Sequence, residues 1–332
     1  MSVGEGKRKE KTMTGRRKYI AGSVRGLIVG DALGVPVEFR DREYLRENPV
    51  TDMMEYGTHH QPKGTWSDDS SMMLCTLDSI SKGEIDCDDI MSKFAKWKYD
   101  GEYTPYGEVF DCGITTAEAL AKYRNGAAPM ECGGRGERDN GNGSLMRILP
   151  AALYQIEHSD PDNADIVRKV SALTHAHPVS MAGCELYTEI LGAIIRFRYG
   201  ESKSGSILDA MSAAFARNHC EGIGHYYRLE DMRAFAALPE DKIKSGGYVV
   251  STLEAALWCF LNTDNYADCV LKAVNLGGDT DTTAAVAGSI AGAYYGVEGI
   301  PAEWIECIAR KEWIAELIDR FEVVINSPSE IE

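Results

Sequence analysis

Three glycines, Gly22, Gly26 and Gly30, recur every four residues inside a stretch, 19–33, whose apolar spacing predicts a helix. Residues four apart share one helix face, so these glycines form a smooth stripe. Glycine costs ~1 kcal/mol against alanine at each helical position. A stripe of three therefore needs a packing reason, and close approach of another backbone supplies one. A second run, Ala284 to Gly296, is built largely of small residues and also reads as a tightly packed helix. Such segments commit the chain to helix-on-helix packing.

The remaining pattern agrees. Helical apolar spacing recurs over residues 72–80, 88–99, 109–124, 144–155, 163–174, 178–199, 207–217, 248–261, 266–275, 280–295 and 302–321. Alternating β-branched runs of any length are absent, and Val249-Val250 lies in a helical context. The 332 residues contain no internal repeat and no Pro- or Ser-rich linker. The expected architecture is all-α, one compact multi-helix domain over residues 19–323. Residues 1–18 carry seven Lys or Arg and are expected to be a disordered basic tail, or else a docking arm. Residues 324–332 are expected to be a short second tail.

Composition narrows function by exclusion. The net charge of −16 argues against broad binding to nucleic acid or anionic membrane. The nine cysteines are odd in number and include no C-x-x-C pair. A disulfide or zinc framework is therefore not expected, and a reducing cytoplasm is. No apolar signal core follows the basic N-terminus. The longest uncharged apolar run, 282–297, has sixteen residues, short of the ~20 that span a bilayer. No transmembrane segment is expected.

The chemistry concentrates in three acidic clusters at helix ends. Glu38 follows the sharp stop at Pro36. Ser67-Asp68-Asp69 opens the helix over 72–80. Asp279-Thr280-Asp281-Thr282 follows Gly277-Gly278 and opens the small-residue helix. Any one of these could be a simple helix cap favoured by the dipole. Five carboxylates gathered together would repel and raise one another's pKa unless cations intervene. Two divalent cations would nearly balance them, and all-oxygen ligands suit Mg²⁺, Mn²⁺ or Ca²⁺.

Four further stretches bear chemistry. Asn140-Gly141-Asn142-Gly143-Ser144 is a glycine-rich loop ahead of an expected helix, able to cradle phosphate or simply to turn the chain. His175 lies at a helix junction, as a phosphate donor or a core histidine. Asp111 precedes Cys112-Gly113 and could be an N-cap. Tyr248 follows Gly246-Gly247, where its ring could stack on a base or pack in the core.

Taken in order, these motifs resemble those of the ADP-ribosylglycohydrolases: Gly30-Asp31-Ala32-Leu33-Gly34 with Glu38, Trp66-Ser67-Asp68-Asp69, Gly141-Asn142-Gly143-Ser144, Leu173-Thr174-His175 and Gly278-Asp279-Thr280-Asp281-Thr282. The resemblance runs from about Arg16 to Phe321. It implies an all-α fold and a binuclear Mg²⁺ or Mn²⁺ centre held by Glu38, Ser67, Asp68, Asp69, Asp279, Asp281 and Thr282. Ser67 stands where many relatives have threonine, and the hydroxyl is kept. Asn140 to Ser144 and His175 would contact diphosphate and ribose, Tyr248 would stack on adenine, and Asp111 would sit over the distal ribose. The implied reaction cleaves the bond between ADP-ribose and a modified side chain of a protein or small conjugate. The metals would grip the ribose hydroxyls, and Glu38 or Asp111 would transfer the proton. Tyr248 and Asp111 favour arginine as the leaving group. Serine linkage and O-acetyl-ADP-ribose are alternatives, as are a metal-dependent phosphohydrolase and a non-catalytic, crystallin-like protein.

Overall fold

A computed structural model describes residues 2–158, 165–200 and 205–326, with side chains from Lys18 onward. Two helices form its axis, Ser2–Gly34 and Thr280–Tyr295. They run antiparallel with glycine facing glycine. A Cβ placed on Gly22, Gly26 or Gly30 would lie 2.3, 2.3 or 2.1 Å from the carbonyl oxygens of Gly292, Gly288 and Ala284. The reverse holds as well: a Cβ on Gly288 or Gly292 would lie 2.1 Å from the Gly26 or Gly22 carbonyl oxygen. The stripe and the small-residue run are therefore two halves of one interface. Tyr266 closes its flank by donating to the Gly26 carbonyl at 2.7 Å.

This axis orders the other helices. Val249–Leu261 and Tyr266–Asn275 pack on Thr280–Tyr295, and Pro178–Tyr199 packs on both Val249–Leu261 and Thr280–Tyr295. On the other side, Asp68–Ile80 packs against Cys87–Asp100, Leu149–Glu157 and the C-terminal helix Lys311–Asn326, which leans on the first helix. Side-chain caps start many of them. Ser67, Asp86, Ser206 and Asn265 each accept from a backbone N–H in the first turn of the helix that follows. Among the described residues there are no strands, only three isolated bridges. All nine cysteines are free thiols. The stretch Lys18–Val37 is apolar and long enough to cross a bilayer, but 89% of that window is buried against protein, as befits a core helix.

Several expected boundaries move, each for a physical reason. The expected 109–124 helix starts at Ile114 with Gly113 as its N-cap, leaving Asp111 in the half-buried loop before it. The expected 144–155 helix starts at Leu149, because Pro150 has no N–H to give and fits only a first turn. The expected 163–174 helix is described from Ile166; residues 159–164 lie outside the described ones. The expected 302–321 helix is two, Ala302–Cys307 and Lys311–Asn326. Between them Ala309 N–H donates to the Gly64 carbonyl at 3.1 Å, and Arg310 turns to φ +55°. The first helix extends back to Ser2, so its described backbone enters the segment expected to be a tail. At the other end the helix reaches Asn326, and residues 327–332 are outside the described ones. Short helices at Arg42–Glu47 and Met232–Ala236 carry no sequence signal strong enough to predict them.

Candidate metal centre and substrate cleft

The glycine-faced axis delivers its carboxylates at one end. Gly34 ends the first helix so close to Asp281 that a Cβ there would lie 2.3 Å from the Asp281 Cα. A 3-10 turn, Val35–Val37, then carries the chain to Glu38. Opposite it, Gly277 and Gly278 take φ of +74° and +78°, open to glycine and strained for other residues. They let the chain swing Asp279 and Asp281 onto the first turn of Thr280–Tyr295. The two loops are tied together: Phe39 N–H donates to the Gly278 carbonyl, and Gly278 N–H to the Arg40 carbonyl, both at 2.7 Å.

The clusters converge. Ligand-capable oxygens of Glu38, Asp279 and Asp281 lie within 4.8 Å of one another, and so do atoms of Glu38, His59 and Asp111. Asp69 joins the first group: its Oδ2 accepts from Thr282 Oγ1 at 3.3 Å and from Ser67 Oγ at 3.2 Å. Asp68 and Asp111 line one small cavity with Ser67. Glu38, Ser67, Asp68, Asp69, Asp281 and Thr282 are all buried.

Capping does not explain these carboxylates. Asp279 occupies the N-cap position of Thr280–Tyr295, yet its side chain makes no capping bond. Asp279 Oδ1 and Asp69 Oδ1 are fully buried with no hydrogen-bond partner. A buried, unpartnered carboxylate oxygen is costly. Burial, above all, pushes Asp68, Asp69 and Asp281 well above the usual carboxylate range. Repulsion follows, led by Asp111 for Asp68, Asp31 for Asp69 and Glu38 for Asp281. Burial likewise lifts Glu38 to about 7, against the hydrogen bond from His59 that lowers it. A hard cation would relieve both the repulsion and the orphaned oxygens, and the all-oxygen donor set suits one. The residues present fit a divalent metal.

The other expected site residues surround this cluster. Asn142 is buried; its Nδ2 donates to Asp279 Oδ2 at 2.8 Å and to Thr252 Oγ1 at 2.9 Å, and its N–H donates to the Gly247 carbonyl at 3.0 Å. It orients a carboxylate rather than standing open in a phosphate cradle. Ser144 is likewise buried, accepting from Cys184 Sγ at 3.5 Å. The stretch Asn142–Ser144 is a 3-10 turn and does not form the mouth of a regular helix. Beneath it lies His175: a Cβ on Gly143 or Gly141 would lie 2.8 Å from His175 Cε1 or 3.4 Å from its Nε2. Burial, then Arg147, drops His175 to about 3, so the ring is neutral. Arg147 donates to Thr174 Oγ1 at 2.8 Å, and that hydroxyl meets His175 Nδ1 at 2.8 Å. The hydroxyl proton can then go to Nδ1, which leaves Nε2–H directed at the 141–143 loop. Asn140 is half-buried and its carbonyl accepts from Val249 N–H at 3.1 Å. Tyr248 bridges to Gly141 and stands 42% exposed, so its ring is not core.

Three residues of this site lie outside the set of site residues expected from sequence. Asp31 is fully buried and accepts from Ser67 N–H, Ser70 N–H and Ser70 Oγ, the last at 2.5 Å, bracing the turn that holds Asp68 and Asp69. Burial lifts it to about 6 despite those bonds. His59, from a polar irregular stretch, bonds Glu38 Oε2 through Nε2. Arg42 donates to the carbonyls of Leu276, Glu240 and Ile243 at 2.7–2.8 Å, pinning together the loops behind Asp279 and Tyr248.

A pH dependence follows for the metal-free protein. Asp31 and Glu38 hold protons in the fold to about 6 and about 7, while their ordinary values are 3.8 and 4.5. Between those limits the folded state binds more protons than the unfolded, so stability falls as pH rises. His175, at about 3 against 6.5, works the other way, but it is one group against several carboxylates. Calorimetry in chelator is expected to give a Tm that drops from about pH 4 to about pH 7. Added Mg²⁺ or Mn²⁺ should restore more at the upper end. A Tm flat across that range in chelator would contradict the electrostatic account.

Known proteins resemble this chain along nearly its whole length. The family model for ADP-ribosylglycohydrolase matches residues 12–330. An ADP-ribosylarginine hydrolase Tri1 of Serratia proteamaculans is 35% identical over 301 residues, covering 90% of this chain and 77% of its own. The ADP-ribosyl-[dinitrogen reductase] glycohydrolase of Rhodospirillum rubrum is 32% identical, covering 87% and 90%. A solved chain described as an ADP-ribosylglycohydrolase-related protein complex superposes with a TM-score of 0.77 at 30% identity, covering 94% of this chain and 99% of that one. An all-α fold whose two glycine-faced helices meet at a buried carboxylate cluster, matched from end to end in sequence and in shape, places this chain in the ADP-ribosylglycohydrolase family.

Proposed function

We propose that this protein is a metal-dependent hydrolase that releases ADP-ribose from modified arginine on a protein or small conjugate. The observation that carries the reading is the buried Glu38–Asp279–Asp281 cluster, with orphaned oxygens on Asp69 and Asp279, set beside the Asn140–Ser144 loop and an exposed Tyr248. The arginine linkage is supported by the 35% identity to the Serratia relative named for that bond. We assign Glu38, Ser67, Asp68, Asp69, Asp279, Asp281 and Thr282 to two divalent cations, Mg²⁺ or Mn²⁺. When bound there, the cations supply Lewis-acid contact to the ribose hydroxyls and lower the pKa of water.

The chain's own residues do the rest. Asn142 fixes the Asp279 carboxylate, and Asp31 fixes the turn carrying Asp68 and Asp69. His59 holds Glu38 Oε2, so Glu38 presents a carboxyl of fixed orientation. Asp111, in its half-buried loop, is the second group placed to move a proton; glycoside cleavage needs such carboxyls. Neutral His175 offers an Nε2–H beneath the 141–143 loop, suited to a phosphate oxygen that has come out of water. Tyr248 offers its open ring to adenine.

The test is product analysis on an ADP-ribosylarginine peptide with Mg²⁺ or Mn²⁺. Free ADP-ribose is the expected product. AMP with a phosphoribosyl group left on the peptide would point instead to phosphohydrolase chemistry, and no turnover with ADP-ribose still bound would point to a binding protein. Tyr248→Ala should weaken ADP-ribose binding by about 10- to 100-fold, the size of one base–aromatic stack, while Tyr248→Phe keeps it. Titration calorimetry reads the difference; equal affinities in both variants would remove Tyr248 from the site.

A further inference from the structure

A row of rings crosses the mouth of the carboxylate cluster, and the steps above leave two of its members unused. Phe39 directly follows Glu38, stands 67% exposed and holds φ at +65°. Few bulky residues adopt that conformation. Glycine would take it freely, and a ring mostly in water gains little from burial, so the fold itself gives phenylalanine no advantage here. The loop is nevertheless locked, by the paired main-chain bonds of Phe39 and Arg40 with Gly278. Phe39 lies 6.0 Å from the His59 ring at 60°, and His59 lies 5.2 Å from Phe110 at 50°. The Phe39 ring stands open, with His59 and Phe110 half-buried behind it. Carboxylates stand against the same row: His59 bonds Glu38, Asp111 follows Phe110, and Glu38, His59 and Asp111 converge within 4.8 Å.

Open aromatic faces beside carboxylates suit one class of group, a flat delocalised cation. A guanidinium is weakly hydrated, stacks on aromatic rings and pairs with carboxylates. A glycosylated serine oxygen, with neither charge nor a proton to donate, can use neither feature. We propose that Phe39, His59 and Phe110 form the slot that receives the guanidinium of the modified arginine, and that Phe39 and Phe110 set the preference for arginine over serine linkage. The assignment rests on the hydrolase reading above.

The experiment compares Phe39→Leu, Phe110→Leu and Phe39→Tyr with the unaltered protein. Each is assayed on arginine-linked and serine-linked ADP-ribosyl peptides of matched sequence, and titrated with free ADP-ribose. Both leucine variants should lose about tenfold in kcat/KM on the arginine linkage, the scale of a partly desolvated cation–π contact. Phe39→Tyr, which keeps the ring face, should retain the rate. Affinity for free ADP-ribose, which carries no guanidinium, should not move. Unchanged arginine turnover in both leucine variants would overturn the slot. So would an equal loss on both linkages, or a loss matched by weaker ADP-ribose binding. An unaltered protein that releases ADP-ribose from neither peptide would instead overturn the hydrolase reading, and the slot with it.

Discussion

Asp281→Asn is expected to abolish metal-dependent release of ADP-ribose while leaving the fold intact. Partners standing behind metal ligands cost about 10- to 100-fold when removed, so loss of a carboxylate at the centre should exceed about 100-fold. The fold should survive because asparagine keeps the one local bond that Asp281 makes, its Oδ1 accepting from Thr282 N–H at 2.8 Å. It also removes a charge that burial and Glu38 both disfavour. The metal-free variant should therefore melt no lower than the parent, and the rise in Tm on adding Mg²⁺ or Mn²⁺ should vanish. Full activity in this variant would sink the metal-centre assignment.

Gly26→Ala should be strongly destabilising for a change of one methyl. Helix propensity alone favours the change by ~1 kcal/mol. Packing opposes it, since the new carbon would sit 2.3 Å from the Gly288 carbonyl oxygen and 3.1 Å from the Tyr266 ring. The obstacle is backbone, which cannot swing aside, so the helices must part. A loss of about 3 kcal/mol or more is expected, on the scale of overpacked cores. For a chain of this length that corresponds to a fall of roughly 4 °C in Tm. Gly224→Ala is the control, because nothing lies within 4 Å of a Cβ there and its φ is not positive. Equal melting of the two variants would show that the stripe is not a contact.

Much of this was legible in the sequence because it rests on local rules. The helices over 178–199, 207–217, 266–275 and 280–295 begin and end where their periodicity does. The acidic clusters stood out through their placement after glycines. What could not be read was which segment meets which. Gly26 announces a partner without naming Gly288, and Glu38 does not reveal that it meets Asp281 rather than solvent. The same applies to Asn142: a glycine-rich loop advertises phosphate, and only its contact with Asp279 shows that this amide is spent on a carboxylate. His59 and Asp31 act through partners 21 and 36 residues away, distances over which periodicity carries no information. Arg310 broke an expected helix for a similar reason, bonding the Thr104 carbonyl at 2.9 Å far along the chain.

Glycine-to-glycine contact along Ser2–Gly34 and Thr280–Tyr295 has one more consequence. Where two backbones touch, no layer of side chains lies between them to change rotamer or to let water in by degrees. The helices cannot loosen locally, and their inner amide hydrogens should exchange with solvent only when the whole molecule opens. Residues 22–30 and 284–292 are then a built-in gauge of global stability. An ion bound at Asp281 should slow exchange along both helices together, out to Gly292.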